Sequence, residues 1–159
     1  MIRFQRTLQT EVFCDGIGLH SGSPVRLMLK PAPAGTGIIF IRTDLGGAQV
    51  KAVTATVSTG YATSLSQNNV SVKTVEHLLA AIAGLNIDNV IVELDGEEVP
   101  IMDGSARPFV RLIVEAGIRT LEALQPVLKI IRPVFVRDGN KQLAIWPAEV
   151  TGISYFIDF

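Results

Sequence analysis

Thr74-Val75-Glu76-His77-Leu78-Leu79-Ala80-Ala81 is the stretch on which the interpretation of this sequence turns. With ~100° between successive residues of a helix, one stripe of this segment is apolar, formed by Val75, Leu78, Leu79 and Ile82. Glu76 and His77 point away from the stripe, onto a face that is otherwise completed by Ala80, Ala81 and Ala83. A helix that is apolar or small on all sides is usually buried between two layers. We therefore expect a buried helix on which Glu76 and His77 meet a cavity or a cleft.

The composition predicts a well-folded globular protein. The 159 residues are 48% hydrophobic and 18% charged, which is enough apolar material for a sizeable core. A net charge of -1, without a Lys/Arg cluster, predicts no nucleic-acid partner. Residues 1–10 lack the apolar core of a signal peptide, and no run reaches the ~18 apolar residues of a membrane span. We expect a soluble cytoplasmic protein in which the single Cys14 forms no internal disulfide.

The first part of the chain predicts strands followed by two helices. Alternating or β-branched segments indicate strands over residues 7–14, 25–30, 37–42 and 50–57. A helix is expected from about residue 71 or 74 to residue 83, ending at Gly84, and then a strand over residues 89–94 that is covered on both faces. A second helix follows, with Ser105 as N-cap, Pro108 in its first turn and Gly117 at its end. This order predicts an α+β domain with both helices on one sheet face, which we place at residues 1–122.

The rest of the chain predicts the start of a second domain. Residues 118–126 indicate a linker, and strands are expected over residues 127–136, 142–146 and 153–159. Arg137-Asp138-Gly139-Asn140 is typical of a hairpin turn. Residues 126–159 contain no predicted helix, and a core of its own is rarely adequate below ~40 residues. We therefore expect this incomplete unit to be finished by further chain or by a partner.

Four motifs identify a resemblance to a known family. In chain order they are Asp15-Gly16-Ile17-Gly18-Leu19-His20-Ser21-Gly22, the segment Thr74 to Ala81 quoted above, Gly84-Leu85-Asn86-Ile87-Asp88-Asn89, and Val99-Pro100-Ile101-Met102-Asp103-Gly104-Ser105-Ala106. Their order and spacing resemble the UDP-3-O-acyl-N-acetylglucosamine deacetylase of bacterial lipid A synthesis. The resemblance covers this whole sequence but only about the front half of that enzyme. It implies a β-α-α-β sandwich, of which this chain would form one complete sheet-plus-two-helices domain and the first strands of a second similar domain.

The resemblance also implies a reaction. Members of the family are zinc hydrolases that remove the N-acetyl group of UDP-3-O-acyl-N-acetylglucosamine and release acetate. By match to the motif, His77 is a Zn²⁺ ligand and Glu76 is the general base. Zinc lowers the pKa of a bound water to ~7 and keeps one coordination position open beside three protein ligands, which suits amide hydrolysis. Without the flanking motifs, a Glu-His pair on a helix would more often be structural.

Two loops are expected on the substrate side. Composition alone would make His20 a turn residue among glycines, but the family places Leu19 and His20 at its active site. The segment Thr59-Gly60-Tyr61-Ala62-Thr63 matches a family loop that lines the reaction site, although the residues differ there. Tyr61 and Ala62 are the substrate contacts that this match implies.

One departure from the family limits what this segment can do. The family completes its zinc site with a His and an Asp from a helix of the second domain, and no such positions occur in this sequence. We expect the remaining zinc ligands beyond residue 159, and we expect this segment alone neither to hold zinc tightly nor to turn over. Two alternatives stay open. One is a non-catalytic α+β interaction module, and the other is a different hydrolase or a metal-free sugar-nucleotide binder on the same sandwich.

Overall fold

The computed structural model describes residues 3–157. These divide after Gln125 into two compact units. In the described part of the chain, neither helix is long and apolar enough to span a membrane.

The first unit contains ten strands and two helices. The strands are β1 (Phe4–Leu8), β2 (Val12–Ile17), β3 (Pro24–Pro31), β4 (Ile38–Arg42), β5 (Ala48–Lys51), β6 (Thr56–Thr59), β7 (Thr63–Gln67), β8 (Val70–Val72), β9 (Val90–Leu94) and β10 (Ile118–Leu124). The helices are α1 (Glu76–Gly84), between β8 and β9, and α2 (Arg107–Ala116), between β9 and β10. A short 3₁₀ turn, Thr43–Leu45, follows β4. This mixture confirms the predicted α+β class.

A five-stranded sheet forms the centre of this unit, in the order β2-β3-β9-β4-β5. Its neighbours are antiparallel except for β4 and β9, which are parallel and are separated in the chain by a short 3₁₀ turn, the strands β5 to β8 and helix α1. A hairpin sheet, β6-β7-β8, and the pair β1-β10 complete the unit. The pairing of β1 with β10 brings the two ends of the unit together.

One hydrophobic core joins the sheet to both helices. Strand side chains at alternate positions, such as Leu27, Leu29 and Phe40, are fully buried in the same cluster as Phe109 and Ile113 of α2. The period of two along the strands and the 3.6-residue period of the helices place these residues on facing surfaces. Both helices thus share one core with the central sheet, as predicted.

The strand boundaries differ from the prediction where the chain turns. The expected strand over residues 7–14 is two strands, β1 and β2, because Gln9 and Thr10 form a bend between them. The expected strand over residues 50–57 is likewise divided into β5 and β6 by a turn at residues 52–54. The strands β7 and β8 were not predicted. Their sequences are rich in polar residues, so the alternation of apolar and polar side chains is weak. Asn68 and Asn69 form the turn between them with left-handed backbone conformations.

Residues 118–126 were wrongly predicted to be a linker. Residues Ile118 to Leu124 form β10. Its partner in the sheet is β1, which comes from the opposite end of this unit in the sequence. Only three of its seven side chains are half-buried, so the apolar signal is weak. The strand β9 is also less buried than predicted, since Ile91 and Glu93 on its second face remain partly exposed.

The start of α1 lies two to five residues after the predicted start, and the other helix ends differ from the prediction by at most one residue. Helix α1 begins at Glu76, and the left-handed residue after it is Asn86 rather than Gly84, which is still helical. Helix α2 has Ala106 as its N-cap, although the Ser105 hydroxyl accepts a hydrogen bond from the Arg107 amide at 3.2 Å. Gly117, with a φ of 73°, ends α2 as expected.

The second unit contains one antiparallel hairpin, β11 (Val134–Asp138) and β12 (Lys141–Ile145). Its turn contains Gly139 with a φ of 58°, so the predicted hairpin turn is confirmed. The strand expected over residues 153–159 is not formed in residues 153–157, and its last two residues lie outside the described chain.

Candidate active site

Glu76 and His77 occupy the first turn of α1. The helix is anchored here by Val75, a fully buried N-cap residue whose amide donates to the Thr63 carbonyl at 3.2 Å. The Thr63 amide in turn donates to Glu76 Oε2 at 3.1 Å. A carboxylate is also favoured at this end of a helix by the macrodipole. The side chain of Glu76 is therefore held against the start of β7.

The two candidate catalytic side chains are neither sealed in the core nor fully exposed. Glu76 and His77 are both partly buried, whereas Leu78 and Ile82 of the same helix are buried in the core. The expectation that α1 is covered on every side is wrong within this chain, because Ala80 and Ala83 are exposed. The first turn of the helix therefore offers a carboxylate and an imidazole at a partly open surface.

The turn before the helix has an unusual backbone. Thr74 is 2% exposed and has a φ of 56°, a left-handed conformation that is strained for a β-branched residue. Its hydroxyl donates to Glu98 Oε1 at 2.7 Å. This contact helps to hold the conformation from which α1 begins.

The glycine-rich loop lies between β2 and β3. The loop is closed by hydrogen bonds from the Gly18 amide to the Ser23 carbonyl and from the Gly22 amide to the Gly18 carbonyl, both of 3.0 Å. Leu19 and the side chain of His20 are exposed on it. The main-chain amide of His20 donates to Oε1 of Glu98 at 3.0 Å and to Oε2 at 3.2 Å, and that of Ser21 donates to Oε2 at 2.8 Å.

Glu98 is therefore the residue that links the loop to the helix. Its side chain is 2% exposed. Burial alone would raise the pKa of this carboxyl, but hydrogen bonds from the His20 amide, the Thr74 hydroxyl and the Ser21 amide outweigh it and lower the pKa to about 2. Glu98 was not predicted from the sequence to be a site residue. The available signal was an acidic residue directly before the apolar run Val99-Pro100-Ile101 of the fourth motif.

Two glycines of the first motif make room for these contacts. A Cβ atom at Gly18 would overlap Glu98 Oε2 and would lie 2.9 Å from its carboxyl carbon. A Cβ atom at Gly16 would lie 2.7 Å from Cβ of Pro100. Real side chains do not tolerate such approaches, so both positions require glycine for packing rather than for an unusual φ.

The other predicted substrate loop is the turn between β6 and β7. Tyr61 is fully exposed at its tip, and Ala62 is half-buried. The loop ends at Thr63, whose amide and carbonyl bind Glu76 and Val75, so this turn lies beside the start of α1. The β6–β7 turn thus contacts the start of α1 directly, whereas the glycine-rich loop is linked through the Glu98 side chain to Thr74, just before the helix.

The described residues supply an incomplete donor set for a metal. Within residues 3–157, no group of three or more His, Cys, Asp or Glu side chains is arranged to hold a metal ion. His77 offers one nitrogen, where a catalytic zinc typically takes three protein ligands. A cavity of about 260 Å³ adjoins Glu98, but its walls include Ser21, Arg42 and Asp95 rather than Glu76 or His77.

Comparison with known proteins gives consistent matches over nearly the whole chain. Residues 5–159 match the family described as LpxC, UDP-3-O-acyl N-acetylglycosamine deacetylase. Proteins named UDP-3-O-acyl-N-acetylglucosamine deacetylase are similar in sequence. The one from Myxococcus xanthus is 52% identical over 98% of this chain and 50% of its own length. Those from Solibacter usitatus and Marinobacter nauticus are 48% and 51% identical, over 93% and 100% of this chain and 50% and 53% of their own lengths. The chain spans about half the length of the curated relatives it matches.

Proposed function

Because this chain belongs to the UDP-3-O-acyl-N-acetylglucosamine deacetylase family, we propose that it is the N-terminal half of a zinc-dependent deacetylase. The reaction is hydrolysis of the N-acetyl group of UDP-3-O-acyl-N-acetylglucosamine in lipid A biosynthesis, with release of acetate and a free amine. The observation that carries the proposal is the placement of Glu76 and His77 side by side at the partly open first turn of α1. We place this activity in the cytoplasm.

Glu76 is the general base. Its Oε2 is held by the Thr63 amide at 3.1 Å, which fixes the direction of the carboxylate and leaves Oε1 to take a proton from the attacking water. A positioned base of this kind typically contributes about 10²–10⁴-fold to the rate.

His77 is the one zinc ligand that this chain supplies. Held by His77 together with ligands from elsewhere, a Zn²⁺ ion would supply Lewis acidity and would lower the pKa of a water to ~7. His77 is partly buried, so the residue keeps some exposure to solvent at the first turn of α1. We assign the remaining ligands to the C-terminal half of the enzyme. In this proposal residues 1–122 are the first domain and residues 126–159 begin the second.

The substrate contacts are assigned to the two loops beside the helix. Leu19 is 58% exposed and His20 is exposed on the loop between β2 and β3, which Glu98 links to the turn before α1. Tyr61 and Ala62 are assigned to the same side from the β6–β7 turn, which is joined to Glu76 through Thr63.

The proposal is tested by deacetylation of UDP-3-O-acyl-N-acetylglucosamine, measured as acetate release by the full-length polypeptide that carries this chain. Glu76→Gln is expected to lower kcat by about 10²–10⁴-fold while the zinc content stays unchanged. His77→Ala is expected to lower the zinc content itself. Glu115→Gln, an exposed glutamate on α2, is the matched control and should leave both values unchanged. Retention of kcat within about threefold by Glu76→Gln would refute the assignment of the base.

The 159-residue chain alone is expected to release no acetate. Turnover by this chain that is abolished both by a chelator and by Glu76→Ala would contradict the proposal that further ligands come from the C-terminal half. Titration of the full-length protein with the UDP-acyl-sugar, with and without zinc, separates the alternatives. Metal-dependent binding supports the deacetylase, metal-independent binding supports a sugar-nucleotide binder, and absence of binding supports an interaction module.

A further inference from the structure

Glu98 occupies a position that no part of the proposed chemistry uses. Its carboxylate accepts hydrogen bonds from the His20 and Ser21 amides on the β2–β3 loop and from the Thr74 hydroxyl before α1. These three donors belong to segments that are separated by more than fifty residues in the sequence. One side chain therefore fixes the distance between the loop that carries His20 and the turn that precedes Glu76.

The main chain around Glu98 is fixed in the same two places. On the helix side, the Lys73 amide donates to the Glu97 carbonyl at 2.8 Å, and the Val99 amide donates to the Lys73 carbonyl at 3.0 Å. On the loop side, the Ile101 amide donates to the Ile17 carbonyl at 3.0 Å. The segment from Glu97 to Ile101 is thus a strap between β2 and the approach to α1, and Glu98 points inward from it.

The close approach of Gly18 strengthens this interpretation. The carboxylate of Glu98 fills the space that a side chain at Gly18 would need. The loop is thereby packed around the carboxylate, so that a change in its position would move the main chain of residues 18–21. A shift of about 1 Å in a group that positions a substrate can cost about 10²-fold in rate.

We propose that Glu98 is a positioning residue, which holds the Leu19-His20 loop at a fixed distance from the helix turn that carries Glu76 and His77. The proposal rests on the proposed deacetylase function, because the loop matters only if His20 contacts the substrate. Glu98 itself touches neither substrate nor metal. It acts through the His20 and Ser21 amides.

The test is a double-mutant cycle in the full-length polypeptide, with kcat and KM measured per bound zinc. Glu98→Gln keeps the shape of the side chain but turns an N–H donor toward main-chain amides that are also donors. We expect it to lower kcat/KM by about 10–100-fold. In the His20→Ala variant, the substrate contact proposed for His20 is already absent. Glu98→Gln should therefore lower kcat/KM of that variant by less than about threefold. A purely structural residue would instead give the same loss in both backgrounds.

Two further variants complete the design. Glu97→Gln alters the neighbouring glutamate, whose side chain is 43% exposed and paired with Lys73, and it should change kcat/KM by less than about twofold. Should Glu98→Gln fail to fold, Thr74→Val removes the helix-side hydrogen bond and retains the carboxylate, and it should show the same non-additivity with His20→Ala at a smaller amplitude.

The possible outcomes separate the two proposals. Non-additive losses support the positioning role. Additive losses, or full activity of Glu98→Gln, overturn that role and leave the deacetylase intact. If the unmodified protein releases no acetate with zinc bound, the proposed function fails and the positioning role fails with it.

Discussion

Acidification should expose the contribution of Glu98 to folding. The carboxyl has a pKa of about 2 in the folded chain, below its ordinary value of 4.5. A pKa that is lower in the folded state stabilises the protein above the unfolded pKa, and the contribution is lost as the pH falls through the folded pKa. At ~1.36 kcal/mol for each tenfold difference, Glu98 contributes about 3 kcal/mol to the free energy of unfolding at pH 7. About half of this contribution should be gone by about pH 3.

The assay is urea unfolding of the 159-residue chain between pH 7 and pH 3. Both helices lie before Gln125, so the helical far-ultraviolet circular dichroism reports on the first unit. Glu98→Gln should be less stable than the parent by about 3 kcal/mol at pH 7, and the gap should narrow below pH 4.5. Asp15, Asp44 and Asp103 also have lowered pKa values, but they are present in both proteins and cancel in the difference.

A direct readout accompanies the unfolding curves. The amide proton shifts of His20 and Ser21 should titrate with the carboxyl that they bind, with a midpoint near its pKa of about 2 rather than near 4.5. Parallel stability profiles for the parent and Glu98→Gln would refute this reasoning. A midpoint near 4.5 in the titration of the His20 and Ser21 amide shifts would also refute it.

Three pairs of substitutions test the interactions of the first unit by urea unfolding of the same chain. Phe109→Ala removes a fully buried ring and should cost about 3–5 kcal/mol, whereas Val114→Ala on the exposed side of α2 should stay within about 0.5 kcal/mol. Equal costs would contradict the observed burial. Thr7→Val removes the buried hydroxyl that accepts the Ala32 amide at 2.9 Å, and it should cost about 1–3 kcal/mol while Thr7→Ser recovers most of the loss. Asp88→Asn disrupts a carboxylate that binds Arg3 through two 2.7 Å hydrogen bonds, and it should cost more than Asp15→Asn, whose pair with Arg26 is exposed and screened by solvent. Loss of the difference between these two variants would show that burial does not set the strength of the pairs.

The parts of the fold that were predicted correctly are those whose signals are local. Strand β3 carries apolar alternation, strands β4 and β9 are nearly continuous apolar runs, and α2 ends at a glycine with positive φ. Strand β10 was missed because its stability comes from pairing with β1, across more than one hundred residues of sequence. No periodicity within residues 118–124 carries that information.

The alanine face of α1 shows how a sequence pattern can have two physical causes. Ala80 and Ala83 suggested a helix that is covered on all sides, yet both are exposed in the described chain. Alanine is also the best helix former, so an alanine-rich surface indicates helix stability as readily as burial. The polar residues were more informative. Glu76 and His77 were expected to point away from the apolar stripe, and both are partly exposed in the first turn of α1, where the helix dipole also favours a carboxylate.

Glu98 was missed for a different reason, and that reason bears on what the site requires. A buried carboxylate is costly unless several donors surround it, and an apolar residue of similar size is often as stable or more so. Stability alone therefore does not call for a glutamate between the Gly18 loop and Thr74. Nor does it call for a left-handed threonine, which adds strain at the same place. The Glu98 carboxylate, unlike an apolar side chain, accepts directed hydrogen bonds from the His20 and Ser21 amides and so fixes their geometry. The desolvation of this carboxylate and the strain of Thr74 both arise beside the two segments that carry His20 and Glu76. A hydrolase would need the geometry of these two segments to be fixed.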